Sequence, residues 1–130
     1  MKKLTIIALA IAMAFSLQIA QAQAPELTAA QKYENELQAW LTRLEWDESH
    51  NNEKIIVLDS NNRYSYGCLQ FQLATFTTYA RKYAIKGEIG SCEAQKELAE
   101  AMIKDNWNNW SNWYNSVKYK TAGYPPKAID

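Results

Sequence analysis

Three acidic residues fall within EWDES, residues 45–49, at the end of a segment with helical periodicity. At about 100° per residue, Glu48 returns to within about 20° of the apolar stripe marked by Leu37. Glu45 and Asp47 lie about 80° to either side, so only Glu48 is expected to face the core. Burial raises the pKa of a carboxyl group. A carboxyl group with a raised pKa can still hold a proton at neutral pH and donate it to a glycosidic oxygen. Glu48 is therefore the predicted general acid, unless the helix ends before it and the side chain is solvated.

A second polar group lies in SYGCLQFQ, residues 65–72, where a serine, a glycine and two glutamines stand among aromatic and apolar neighbours. Between the two groups, Asp59 in DSNN is the one candidate for a second carboxylate. A retaining glycosidase needs its two carboxyl groups about 5 Å apart, and an inverting one needs about 6.5–9.5 Å. Because an aspartate in a turn usually bonds its own backbone, a structural role for Asp59 is favoured over catalysis.

The sequence contains few residues in an arrangement that could bind a metal or a cofactor. His50 is the only histidine, which excludes a multi-histidine metal site. DSNN offers oxygen ligands but lacks the glycine and distal glutamate of a calcium loop. We expect no metal and no cofactor.

The first helix and a hairpin are expected to position these residues. Thr28 and Gln31 form a capping box, which predicts a helix over residues 28–49. A β-branched run, a turn and a second extended run predict strands at residues 55–58 and 63–66. The fold class is therefore predicted to be mainly α (α+β), with one small β-hairpin between the first and second helices.

The rest of the chain reads as helical. Helical patterning resumes at Cys68, Ser91 caps a third helix, and residues 106–117 predict a short last helix. Three tryptophans in that last helix recur every third residue and form an aromatic ridge: Trp107, Trp110 and Trp113. Such rings stack on sugars, although core packing is the more frequent use.

The amino terminus predicts export. A basic start, an apolar run and an Ala-x-Ala ending indicate a signal peptide over residues 1–22, leaving residues 23–130 as one domain. We expect that domain to be periplasmic or secreted, with no membrane anchor after cleavage. Removing Lys2 and Lys3 from the 14 basic residues leaves 12 against 14 acidic, which argues against a nucleic-acid partner.

Cys68 and Cys92 are the only cysteines. In an oxidising compartment they are expected to form a disulfide, which contributes about 3 kcal/mol by constraining the unfolded chain. The alternative is a buried free thiol at each position.

Glu48-Ser49, a polar loop and SYGCLQF at residues 65–71 together resemble the goose-type lysozymes and soluble lytic transglycosylases of the lysozyme-like superfamily. These proteins carry a glutamate followed by serine, then a Ser-x-Gly-x-x-Gln element. Here 17 positions separate Glu48 from Ser65. The resemblance spans residues 35–118 and implies a lysozyme-like domain that cleaves peptidoglycan between N-acetylmuramic acid and N-acetylglucosamine.

The resemblance also implies residue roles. Glu48 is the catalytic acid and later the base, and Ser49 helps to orient it. Gly67 permits close backbone approach beside the cleft. Ser65 and Gln70 line the sugar-binding groove, where the amides hold N-acetylated sugars. Gln72 has no counterpart in the motif and is read as incidental.

One element departs from the family pattern. Lytic transglycosylases carry a late Ala-Tyr-Asn-Ala-Gly element, and this chain has WYNS at residues 113–116, in which Tyr114 and Asn115 keep the central pair. Two hypotheses remain. The first is an exported enzyme acting on peptidoglycan glycan strands, with a cell-envelope secretion or conjugation complex as a candidate partner. The second is a non-catalytic peptidoglycan-binding or structural module.

Overall fold

The computed structural model describes residues 22–129. The elements, in chain order, are α1 (Ala29–Ser49), β1 (Ile56–Leu58), β2 (Tyr64–Tyr66), β3 (Phe71–Gln72), α2 (Leu73–Lys82), α3 (Cys92–Asp105), a 3₁₀ helix (Trp107–Trp113) and α4 (Tyr114–Tyr119). The predicted fold class, mainly α (α+β), is confirmed, and the β-strands lie between the first two long helices as predicted. The predicted signal peptide lies outside the described residues, apart from Ala22. No helix among residues 22–129 combines the length and apolar character that crossing a bilayer requires.

Helix α1 begins and ends as local chemistry dictates. The Thr28 hydroxyl accepts from Gln31 N–H at 3.2 Å, and the Gln31 side chain accepts from Thr28 N–H at 2.9 Å, which confirms the capping box. His50 ends the helix in the left-handed region, with φ 51°. Glu48 is therefore the penultimate helical residue, and the alternative that the helix stops before it is wrong.

The sheet contains the predicted hairpin and one further strand. Strand β2 pairs with β1 on one side and with β3 on the other, both antiparallel. Val57, Ser65 and Gln72 lie directly opposite one another across the three strands. Because side chains alternate between faces along a strand, these three share one face of the sheet.

The second helix begins later than predicted. Helical patterning starts at Cys68, but α2 starts at Leu73. Gly67 at φ 71° and Gln70 at φ 53° both adopt the left-handed region, which a helix cannot contain. Residues 67–70 form a turn that returns the chain into β3.

The core unites α1 and α3 with aromatic residues of β3 and the 3₁₀ helix. Trp113 packs edge-on against Trp40 at 6.0 Å and Phe71 at 5.4 Å between ring centroids. The predicted Cys68–Cys92 disulfide is present, with Cα atoms 5.5 Å apart, and joins the turn at residues 67–70 to the first residue of α3. The turn is therefore anchored to the helical core.

The carboxyl-terminal segment, residues 120–129, lies along α1. The Trp40 indole donates to Gly123 O at 2.9 Å, and Arg43 Nε donates to Ala122 O at 3.2 Å. This extended segment has no local sequence pattern that predicts its position, because its contacts are with residues about 80 positions away.

Candidate functional site

A cleft of about 520 Å³ lies between the end of α1, the sheet and the start of α4. Most of its lining side chains are polar: Glu48, Val57, Asp59, Ser65, Gln70, Phe71, Gln72, Thr75, Ser111, Asn112, Trp113, Tyr114, Asn115 and Lys120. The shared face of the sheet supplies Val57, Ser65 and Gln72, so strand register determines one wall. A polar trench of this size suits a ligand rich in hydroxyl and amide groups.

Glu48 is half-buried on the α1 side of the cleft. Burial raises the pKa of its carboxyl group above the usual range, and the negative charges of Asp47 and Asp59 act in the same direction. A 2.5 Å hydrogen bond donated by Ser116 Oγ and the charge of Lys120 oppose that rise in pKa without reversing it. The carboxyl group is thereby set to hold a proton at higher pH than an exposed glutamate.

Ser49 does not orient Glu48 as the resemblance implies. Its hydroxyl donates to Glu45 O at 3.1 Å within α1, its side chain is buried, and it does not line the cleft. Ser116, which is fully buried in α4, contacts the Glu48 carboxylate instead. The small residue that ends WYNS is the sequence signal for it.

The expectation that only Glu48 faces the interior is also wrong. Asp47 is 8% exposed and accepts hydrogen bonds from Thr121 Oγ1 and Ala122 N–H, both at 2.6 Å. The helical angle correctly predicts that Asp47 lies off the apolar stripe. The side chain is buried all the same, because residues 120–129 cover that side of α1. Asp47 therefore anchors this segment next to the catalytic candidate.

Glu45 faces the other side of the helix. It pairs with Lys96, and its Oε1 lies 3.3 Å from Cys92 Sγ. Glu45, Cys68 and Cys92 form a cluster of potential metal ligands, but the disulfide removes the thiolates that a metal would need.

Asp59 lies in the cleft and does not bond its own backbone as predicted. Its Oδ2 accepts from Ser65 Oγ and from Gln72 Nε2, the latter at 2.8 Å. The side-chain bond to the turn backbone is made by Asn61, which accepts from Arg63 N–H at 3.1 Å. Asp59 is thus held by β2 and β3 on the sheet side of the cleft. Its negative charge is close enough to Glu48 to raise the pKa of that carboxyl group.

Gln72, read as incidental from the sequence, lines the cleft and holds Asp59. Its amide also contacts Asn61 at 3.3 Å. The strand β3 was not predicted, so the face on which Gln72 lies was not predicted either.

Gln70 enters the cleft and Gly67 does not. Gln70 Nε2 donates to Gly67 O at 2.8 Å, which positions the amide at the cleft wall. A Cβ on Gly67 would lie 2.6 Å from Gln95 Nε2, so the close approach that this glycine permits is to Gln95, not to a cleft ligand.

Gln95 is a buried residue that the sequence reading missed. Its side chain accepts from Leu69 N–H at 2.8 Å and donates to Tyr66 O at 2.8 Å and Ile89 O at 2.6 Å. The available signal was a glutamine on the helical stripe that carries Leu98 and Met102. Gln95 fixes the turn from which Gln70 enters the cleft.

Tyr114 and Asn115 begin α4 and line the opposite wall, both exposed. Trp113 just before them is anchored by its indole, which donates to Leu69 O at 2.9 Å. The three tryptophans occupy a 3₁₀ helix, in which residues three apart are eclipsed, and the rings of Trp107 and Trp110 pack edge-on with centroids 6.2 Å apart. Trp113 packs in the core, whereas Trp107 and Trp110 are half-buried.

Against known proteins, no family model, curated protein or solved structure matches this chain.

Proposed function

We propose that this chain is an exported peptidoglycan-cleaving enzyme of the lysozyme-like, lytic transglycosylase type, in which Glu48 acts on the bond between N-acetylmuramic acid and N-acetylglucosamine. The observation that carries the proposal is the half-buried Glu48 carboxyl, with its raised pKa, in a cleft lined mainly by amide and hydroxyl side chains. The Cys68–Cys92 disulfide supports the exported location, since such bonds persist in oxidising compartments.

Glu48 carries out both proton transfers in this mechanism. The protonated carboxyl donates its proton to the glycosidic oxygen as the bond to C1 breaks. The N-acetyl carbonyl of the substrate stabilises the positive charge at C1. The Glu48 carboxylate then accepts the proton of the sugar's 6-hydroxyl, which attacks C1 and forms a 1,6-anhydro end.

The polar walls of the cleft hold the sugars during these steps. Gln70 Nε2 is already bonded to Gly67 O, which leaves its Oε1 as an acceptor for an N-acetyl N–H. Tyr114 and Asn115 on the opposite wall offer a ring face and an amide to the reacting sugar. Hydrolysis is the reaction that would compete with transglycosylation, because the Asp59 carboxylate on the sheet side of the cleft is suited to activating water.

The experiment compares purified cell walls treated with wild-type protein and with Glu48→Gln, with Glu97→Gln as an exposed control. We expect wild type and Glu97→Gln to clear the walls, and Glu48→Gln to lose at least about 10²-fold in rate. Mass spectrometry of the products then distinguishes anhydro ends, from transglycosylation, from reducing ends, from hydrolysis. Equal clearing by all three proteins disproves the role of Glu48, and binding without clearing by wild type favours the non-catalytic module.

A further inference from the structure

A cationic aromatic surface lies outside the cleft, formed by Trp107, Trp110, Tyr119, Tyr124, Lys118 and Lys127. The Tyr124 ring joins the two tryptophans, with centroids 5.6 Å from Trp107 and 4.9 Å from Trp110. Tyr119 is 75% exposed and Tyr124 is 45% exposed. These rings form one contiguous exposed patch and are not isolated exposed residues. Such a patch indicates an interaction surface.

The positive charge of this surface comes from two lysines. Residues 106–130 contain three lysines and one acidic residue, Asp130, and Glu36 of α1 lines a small pocket beside Tyr124 and Pro126. Lys118 Nζ lies 4.9 Å from the Tyr124 centroid, and Lys127 Nζ lies 4.2 Å from the Trp107 centroid. Neither lysine forms an ion pair within residues 22–129. The aromatic faces hold both ammonium groups in place while leaving their charge available to an anion.

The surface is continuous with the cleft through Tyr114. This residue lines the cleft, stacks on Trp110 at 6.0 Å and contacts Tyr119 edge-on at 5.9 Å. A polymer that leaves the cleft past Tyr114 therefore runs onto the cationic aromatic surface.

We infer that this surface binds the peptide-bearing continuation of the glycan strand that occupies the cleft, with Lys118 and Lys127 pairing with carboxylates of the peptide stems. The inference rests on the substrate class proposed above. Sugar C–H faces stack on Tyr119 and Tyr124, and the stem carboxylates meet the two ammonium groups.

The test measures binding of the full-length Glu48→Gln protein to soluble glycan strands with peptide stems and to strands whose stems an amidase has removed. The double variant Lys118→Gln/Lys127→Gln is compared with Lys54→Gln/Lys86→Gln, which removes the same charge from exposed lysines outside the surface. We expect stem-bearing strands to bind at least about threefold more tightly at low salt, a preference lost in the first double variant and kept in the second.

The outcomes separate this inference from the proposed function. If wild type clears walls but the preference survives the Lys118/Lys127 change, the inference fails and the enzyme proposal stands. If wild type does not clear walls while the preference depends on these two lysines, the enzyme proposal fails and the inference stands. Absence of binding to either strand overturns the inference, and it overturns the enzyme proposal as well only if wild type also fails to clear walls. Retention on anionic phospholipid vesicles that depends on the two lysines, without any stem preference, overturns the inference in favour of a membrane surface.

Discussion

The Ser116 hydroxyl donates a 2.5 Å hydrogen bond to Glu48 Oε1, joining two residues 68 positions apart in the sequence. The contact brings α4 against the end of α1, and it favours the charged form of Glu48 in a site where burial favours the neutral form. The proton affinity of the carboxyl is therefore set by two opposing effects, which mutations can separate.

Ser116→Ala is expected to raise the pKa of Glu48 further. The lost hydrogen bond stabilises the carboxylate more than the acid, so the alkaline limb of the kcat/KM profile moves to higher pH. Wall clearing measured across pH tests this. Ser49→Ala is the control, because Ser49 bonds Glu45 O and not Glu48. An unchanged profile in Ser116→Ala contradicts the role of this hydrogen bond.

Asp59→Asn is expected to shift the same limb to lower pH, because the Asp59 charge raises the pKa of Glu48. If Glu48 alone carries the proton transfers, cleavage falls by less than the roughly 10²-fold that loss of a general base costs. The products keep their anhydro ends. A larger loss, with reducing ends from wild type, would instead make Asp59 a second catalytic carboxylate and the chain a hydrolase.

Glu48→Gln is expected to stabilise the protein at neutral pH. A carboxyl group whose pKa is raised in the folded state favours folding below its unfolded pKa and loses that contribution as pH rises through the folded pKa. The melting temperature of Glu48→Gln should therefore exceed that of wild type at pH 7, with the difference vanishing below the ordinary value of 4.5. The exposed variant Glu97→Gln should show no such trend, and a lower melting temperature for Glu48→Gln at pH 7 would refute the prediction.

Gly67→Ala is expected to destabilise the fold by about 1–3 kcal/mol. The new Cβ meets Gln95 Nε2 at 2.6 Å, and φ 71° strains any residue other than glycine. Gly90→Ala is the matched control, since no atom lies within 4 Å of its Cβ position and φ is not positive there. Urea unfolding measures both variants; equal stabilities would show that the turn at residues 67–70 does not depend on Gly67.

Replacing both cysteines by alanine is expected to cost about 3 kcal/mol, because the disulfide closes a loop with a sequence separation of 24. Urea unfolding of the double variant should be insensitive to reductant, whereas reductant should lower the stability of wild type toward that of the variant. If reductant leaves the urea unfolding curve of wild type unchanged, although it can reach the unfolded chain, the disulfide does not form in solution.

Several elements could be predicted from the sequence because their causes are local. Helix α1 is defined by residues at most a few helical turns apart. These are the capping box of Thr28 and Gln31 and the apolar stripe that includes Leu37 and Leu44. The turn residues of DSNN define the hairpin. The helical angle of Glu48 follows from residues at most eleven positions away.

The tertiary structure alone decided what surrounds Glu48. Asp47 is buried by residues 74 and 75 positions later, and Ser116 lies 68 positions after Glu48. Outside the cleft, the need for glycine at position 67 likewise comes from a distant residue, Gln95. Periodicity gives the direction of a side chain around its own helix. It carries no information on which distant segment will cover that direction, because this depends on how the whole chain packs.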